Sequence, residues 1–215
     1  MSWSSGKDSA WTLYLLQRDP TIELAGLFTV INKKYNRASM HATRIELLER
    51  QAEAAGLTLK IVELPDQCTN KECDAVMEQF ITACVAERVE SIAFGDLFLE
   101  DIRLYREKQL SRTGITPLFP LWKMPTAILA REMMSAGVKA FISSVDLAKL
   151  PPDLAGRQWT RELVDTIPAE CDPCGENGEL HTIVVEGPMF HRTIAVHVGE
   201  IIEREGFVYA DIIPD

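Results

Sequence analysis

Near the start of the chain, Ser4-Ser5-Gly6-Lys7-Asp8-Ser9 gathers hydroxyls, a lysine and a carboxylate ahead of an apolar helical pattern: Ala10, Trp11, Leu13, Tyr14, Leu15, Leu16. A turn of small residues that opens a helix aims several backbone N–H groups at one spot. The positive end of the helix dipole adds to them and makes an anion site. Lys7 brings a mobile full charge, and Ser4, Ser5 and Ser9 bring hydroxyl donors. A polyphosphate needs that combination. The same residues also suit an ordinary helix cap, since Ser and Asp are favoured there. A Walker loop is excluded: it reads G-x-x-x-x-G-K-[ST], whereas Asp8 follows Lys7 and Met1 stands where the first glycine would be.

A second polar cluster lies far downstream. Glu176, Asn177, Glu179 and His181 are interleaved with Gly178 and preceded by Gly175. Glycines let such a loop bring its backbone close to a ligand. Two carboxylates, an amide and an imidazole offer metal ligation, proton transfer and substrate hydrogen bonds in one place. No H-E-x-x-H occurs, which excludes a zinc protease of that type. A plain solvent loop would also use Gly, Asn and Glu. Gly95-Asp96, after an apolar run, is either a turn or a ligand-facing strand end, and Arg103 and Arg106 sit in a charged helical stretch whose default is a solvated, salt-bridged face.

The elements that must carry these residues follow from periodicity. The loop at Ser4 needs a strand before it, so Met1–Ser4 is that strand or the sequence begins late. Helices are expected over 8–18, 41–55, 72–87, 98–112, 126–136 and 159–165. Strands are expected over 23–31, 57–64, 91–94, 138–144 and 182–185, with a shorter α/β element opening at 116–122 and an antiparallel hairpin of 192–203 and 206–213 turning at Glu205-Gly206. Helix 72–87 has Cys73, Val76, Phe80 and Cys84 on one stripe, and Gly56 is placed to stop the helix before it. The alternation predicts an α/β fold: an open, mostly parallel sheet with a smaller C-terminal α+β part, divided into residues 1–115 and 116–215. Ligands are then expected at the carboxyl ends of the strands.

Composition agrees with a globular chain: 47% hydrophobic and 25% charged, with no apolar run of membrane-spanning length. No signal peptide precedes the first motif, so a cytoplasmic protein is expected. The net charge of −10 argues against a nucleic-acid partner. Five cysteines, Cys68, Cys73, Cys84, Cys171 and Cys174, are expected as free thiols, with a zinc site from the two closely spaced pairs as the alternative.

The first motif resembles the S-G-G-K-D-S signature of the PP-loop ATP pyrophosphatases, with Ser5 where that family has glycine. The segment 174–182, Cys-Gly-Glu-Asn-Gly-Glu-Leu-His-Thr, resembles the C-G-E-[GN]-G-E-[FY]-[EH]-T signature of the diphthamide synthase family of PP-loop proteins, the diphthine–ammonia ligases. Val185–Phe190, Met40-His41, Gly95-Asp96 with Tyr105-Arg106, and Pro117–Trp122 resemble further segments of that family, in the same order, and the whole looks most like its bacterial branch. The resemblance implies an adenine nucleotide alpha hydrolase-like fold and an AMP-forming, ATP-dependent carboxylate–ammonia ligase. It assigns Ser4, Ser5, Gly6, Lys7, Asp8, Ser9 and Asp96 to ATP, with Asp8 on Mg2+. It makes Lys7, Glu176, Glu179 and His181 catalytic, and gives His41, Arg103, Arg106 and Asn177 to the substrate. The expected partners are a small-molecule or protein carboxylate and ammonia, with a homodimer left open. A transfer-RNA-modifying PP-loop enzyme, including a sulfur-transferring one using Cys171 and Cys174, and a non-catalytic nucleotide-binding protein stand as alternatives.

Overall fold

The computed structural model describes residues 1–32, 37–38, 43–65 and 69–215; His41 and Cys68 lie outside the described residues. In chain order the elements are α1 (Lys7–Arg18), β1 (Leu27–Asn32), β2 (Arg37–Ala38), α2 (Ile45–Ala55), β3 (Leu59–Leu64), α3 (Asn70–Ala86), β4 (Ser91–Ala93), α4 (Glu100–Leu110), β5 (Thr116–Leu118), α5 (Thr126–Ser135), β6 (Lys139–Asp146), α6 (Arg161–Val164), β7 (Leu180–Glu186), β8 (Val196–Arg204) and β9 (Phe207–Pro214). The expected mixture of α and β is present, in parallel pieces and a separate antiparallel sheet.

Apolar runs become parallel strands. β1 pairs in parallel with β3, from Leu27 opposite Leu59 to Asn32 opposite Leu64, and β4 pairs in parallel with β5. Residues 1–3 bridge the two pieces. Ser2 forms a parallel bridge with Phe28, Trp3 N–H donates to the Phe28 carbonyl at 2.7 Å, and Ser2 N–H donates to the Ala93 carbonyl at 2.9 Å. The chain thus enters the sheet between β1 and β4 and turns directly into α1, which puts the 4–9 loop at the carboxyl end of that strand. β5 lies beyond the expected boundary at 115/116 and completes the parallel pair with β4.

The second sheet has the order β7-β6-β9-β8, antiparallel throughout. The expected hairpin is there: Arg204 faces Phe207, and Glu205 and Gly206 both take positive φ, as a two-residue hairpin turn requires.

Helix ends follow local chemistry. Gly56 closes α2 in the left-handed conformation, as expected. Thr69 and Glu72 form a capping box that starts α3 earlier than the apolar stripe suggests. On α3, Cys84 is buried beside Met77 and Ile81, while Val76 and Phe80 are half-buried against the same cluster. Cys73 is disulfide-bonded, which corrects the expectation of free thiols there. A reducing compartment disfavours disulfides in general, but whether a bond forms also depends on two sulfurs meeting.

The main core runs through both sheets, from Trp3, Leu13 and Leu47 to Ile142, Val184 and Ile212. Among the described residues, no helix is long and apolar enough to cross a membrane.

Candidate active site

The first motif is folded as a tight, buried turn. Ser5 is fully buried at φ +70°, the region that favours glycine, and its hydroxyl shares a 2.7 Å hydrogen bond with Thr43. Gly6 is the N-cap of α1. Ser4 Oγ donates to Ser9 Oγ at 3.0 Å, and Ser9 Oγ donates to the Gly6 carbonyl at 2.9 Å, so these hydroxyls tie the turn together. Gly95 packs on the same turn: a Cβ there would lie 3.0 Å from Ser9 N, so any other residue would force the backbone of the turn to give way.

Lys7 corrects an expectation. Its position in the motif suggests a mobile, solvent-facing charge, yet it is 2% exposed. The ammonium donates to Asp8 Oδ2 at 2.8 Å and to the Cys174 carbonyl, and lies 5.4 Å from the centre of the Trp159 ring. Burial opposes its charge, but Asp8, Cys174 and Asp172 together outweigh that and raise the Lys7 pKa. Burial also lifts the Asp8 carboxyl above its ordinary value, against the pull of Lys7.

A cleft of about 220 Å³ opens beside this turn. Its walls include Ser4, Asp8 and Ser9 from the turn, Gly95 and Asp96 from the end of β4, and Arg106 from α4. Glu176 and His181 line it from the loop before β7 and its first residues. Arg106 Nε is 3.9 Å from Asp96 Oδ2, too far for a hydrogen bond. Both atoms, and Asp8 Oδ1, are buried without a hydrogen-bond partner. Burial raises Asp96 despite Arg106. Arg106 itself is stacked on the Phe94 ring, 4.8 Å from its centre.

Glu176 Oε1 accepts the N–H groups of Leu97 at 2.8 Å and Phe98 at 3.4 Å. Burial outweighs these bonds and raises its carboxyl to about 7. His181 is lowered to about 4 by burial, with the Lys7 charge adding to the effect, so its imidazole is neutral at neutral pH.

Other candidates go elsewhere. Glu179 is 2% exposed and does not line the cleft. Its Oε1 accepts Asp172 N–H at 3.0 Å and the Asn177 amide at 3.1 Å, which fastens the loop on itself. Burial opposes that charge, but these bonds hold the Glu179 carboxyl below its usual value. Asn177 is exposed, and its carbonyl accepts from Lys149 at 2.7 Å. Arg103 pairs with Glu107 at 2.7 Å and stacks on Phe119 and Trp122, apart from Arg106. Cys171 and Cys174 are buried, with their sulfurs on the carbonyls of Lys149 and Thr126. Burial pushes the Cys174 thiol far up, opposite to what a reactive cysteine needs. Among the described residues, no three His, Cys, Asp or Glu side chains gather as a ready metal site.

Against known proteins, the pattern of the diphthamide synthase N-terminal domain matches residues 1–117, and that of the diphthamide synthase C-terminal domain matches residues 125–212. The chain belongs to the diphthamide synthase family. Its relatives include a diphthine–ammonia ligase of Mus musculus, 26% identical in an alignment of 165 residues that covers 73% of this chain and 61% of that protein. The Homo sapiens diphthine–ammonia ligase is 26% identical with the same shares, and that of Schizosaccharomyces pombe is 27% identical over 54% of this chain and 20% of its own. The chain therefore spans 61% of the length of the Mus musculus and Homo sapiens relatives.

Within this family member, the two motifs meet through residues that sequence reasoning did not single out. Val184 N–H donates to the Ser5 carbonyl at 2.9 Å, and Lys7 N–H donates to Thr182 Oγ1 at 3.2 Å. Gln51, fully buried on α2, accepts from Trp3 Nε1 at 2.9 Å and donates to the carbonyls of Ser5 and Val184. A sequence signal for Gln51 existed: a glutamine between Leu48 and Ala52 on an otherwise apolar stripe needs a partner.

Proposed function

We propose that this chain is an AMP-forming ligase of the PP-loop, adenine nucleotide alpha hydrolase-like type, which adenylates a substrate carboxylate with ATP and passes ammonia to it. The observation that carries the reading is the meeting of the two motifs: Asp8 and Glu176 line one cleft although 168 positions separate them in the chain. ATP is a substrate here. Its phosphates suit the opening of α1, where the first-turn N–H groups have no partner within the helix. Residues 1–115 then serve the nucleotide and residues 116–215 the acyl transfer.

The unpartnered Asp8 Oδ1 and Asp96 Oδ2 fit Mg2+, which takes one or two carboxylates and completes its shell with phosphate and water. Bound there, it would supply charge neutralisation for the departing pyrophosphate. Arg106, which lines the cleft and whose Nε–H makes no hydrogen bond, suits an acceptor carboxylate or the α-phosphate. One oxygen of the acceptor attacks the α-phosphorus, and the bond to pyrophosphate breaks. The ammonia lone pair then attacks the acyl carbon, and the bond to AMP breaks. Ammonium must lose a proton before attack and the adduct another afterwards. Glu176, with a value of about 7, is poised to take one near neutrality, and the neutral His181 lies in the same cleft.

The test is product analysis with candidate acceptors and ammonium. AMP and pyrophosphate should form only with the acceptor present, and oxygen-18 from a labelled acceptor carboxylate should appear in AMP. ADP and phosphate as products, or label taken only from water, would overturn the reading.

A further inference from the structure

The Lys7 ammonium is not aimed into open space. It is held by the Cys174 carbonyl and Asp8, yet Lys7 lies in the cleft wall. Cys174 opens a stiff piece of chain. Gly175 N–H donates to the Asp172 carbonyl at 2.8 Å, and Glu176 N–H donates to Asp172 Oδ2 at 2.9 Å. A Cβ on Gly175 would lie 2.5 Å from the Leu180 carbonyl, so the two sides of the loop are in contact. The Glu176 carboxylate then holds Leu97 and Phe98 N–H ahead of α4. A displacement of the Cys174 carbonyl is therefore passed to Glu176, because little between them can give.

We propose that Lys7 is a positioning residue that works as a latch: in the free protein its ammonium holds the Cys174 carbonyl and so sets the loop carrying Glu176, and a polyphosphate in the cleft draws the ammonium away and lets that loop move. This rests on the reading that the cleft takes the phosphates of ATP. A phosphate oxygen bears charge and a peptide carbonyl does not, so the ammonium bonds it more strongly. The carbonyl left behind is buried and loses its donor, a cost that the loop relieves by shifting. Occupancy of the phosphate site and placement of Glu176 are then coupled, and the coupling is reciprocal.

The experiment is amide hydrogen exchange over residues 174–178, with calorimetry to establish binding, using inorganic pyrophosphate and an ATP analogue blocked between its α and β phosphates. In the wild type either ligand should speed exchange over this stretch by about tenfold. The free Lys7→Met protein should already exchange at the fast rate and show no further response. Thr182→Val removes the acceptor of the Lys7 backbone N–H but keeps the ammonium, and it should respond as the wild type does. Binding without a change in exchange overturns the latch alone, as does a free Lys7→Met protein that exchanges like the wild type. A Thr182→Val protein that loses the response would make it a general property of the helix end, and also overturns the latch. Failure of both ligands to bind the wild type overturns the functional reading itself, and the release with it. Should Lys7→Met not fold, the wild-type comparison decides.

Discussion

Ser5 and Thr43 share a hydroxyl–hydroxyl hydrogen bond of 2.7 Å while Ser5 holds φ at +70°. The bond offsets the conformation. A left-handed non-glycine residue costs on the order of 1 kcal/mol, and a net hydrogen bond contributes about as much. Ser5→Gly strands the Thr43 hydroxyl but relieves the backbone, so it should be about 1 kcal/mol more stable than Ser5→Ala. Ser5→Ala keeps the strained backbone and strands the buried Thr43 hydroxyl, so it should cost about 1–3 kcal/mol. Denaturant unfolding of the two variants separates these cases. Equal stability would contradict the compensation.

Lys7→Ala should destabilise the fold as well as impair the site. Truncation removes a buried side chain and leaves Asp8 and the Cys174 carbonyl without its ammonium. Breaking such a buried pair from one side costs about 3 kcal/mol. Thermal melting of Lys7→Ala against the wild type checks this. An unchanged melting temperature would mean that the lysine is in solvent, as the sequence alone suggested.

Glu176 and His181 should bend stability with pH in opposite directions. The folded Glu176 carboxyl, at about 7, keeps a proton that the unfolded group loses near 4.5. Its contribution is full below 4.5 and is lost as pH rises through 7. The folded His181 imidazole, at about 4, lacks a proton that the unfolded group holds up to about 6.5. Its contribution is full above 6.5 and is lost as pH falls through 4. Between 4.5 and 6.5, Glu176→Gln should therefore make stability rise more steeply with pH, and His181→Gln should make it rise less. Unfolding at three pH values in this window measures both slopes. Slopes that shift in the same direction would rule out the environments described.

Glu179→Ala should act on the loop rather than on nucleotide. Removing Oε1 strands the buried Asp172 N–H and frees Asn177, at a cost of about 1–3 kcal/mol. Faster proteolysis within 170–180, with pyrophosphate affinity falling far less than in Asp8→Asn, is the expected pattern. Equal loss of affinity in both would return Glu179 to the cleft.

Asp8→Asn and Asp96→Asn should each remove most of the gain in ATP affinity that Mg2+ brings, while affinity in chelator stays near the wild-type value. Their unpartnered oxygens motivate this, since amides are poor ligands for so hard a cation. Calorimetry with and without Mg2+ reads it directly. A metal-dependent gain that survives in both variants would place the metal elsewhere.

Local chemistry alone determined a good deal of this protein. The Ser5-Gly6-Lys7 turn opens a helix, Gly56 ends one, and Glu205-Gly206 makes a hairpin, because each depends on residues a few positions apart. The two motifs could likewise be read as polar clusters beside glycines, and their order along the chain resembled a single family. What each side chain does within those clusters was settled by partners far away in sequence. Lys7 and Asp8 are neighbours in the chain, yet only Asp8 keeps a free atom in the cleft, because the Cys174 carbonyl and the Trp159 ring close over Lys7. Glu176 and Glu179 look interchangeable in sequence. The backbone turn at Gly178 sends one towards Leu97 and the other back onto Asp172, and Arg103 and Arg106 part in the same way between two sets of aromatic rings. Residue type and spacing fix which groups are available, but burial and the direction in which a side chain leaves its element fix their charge and reach. Those depend on how the sheets and helices pack around the main core.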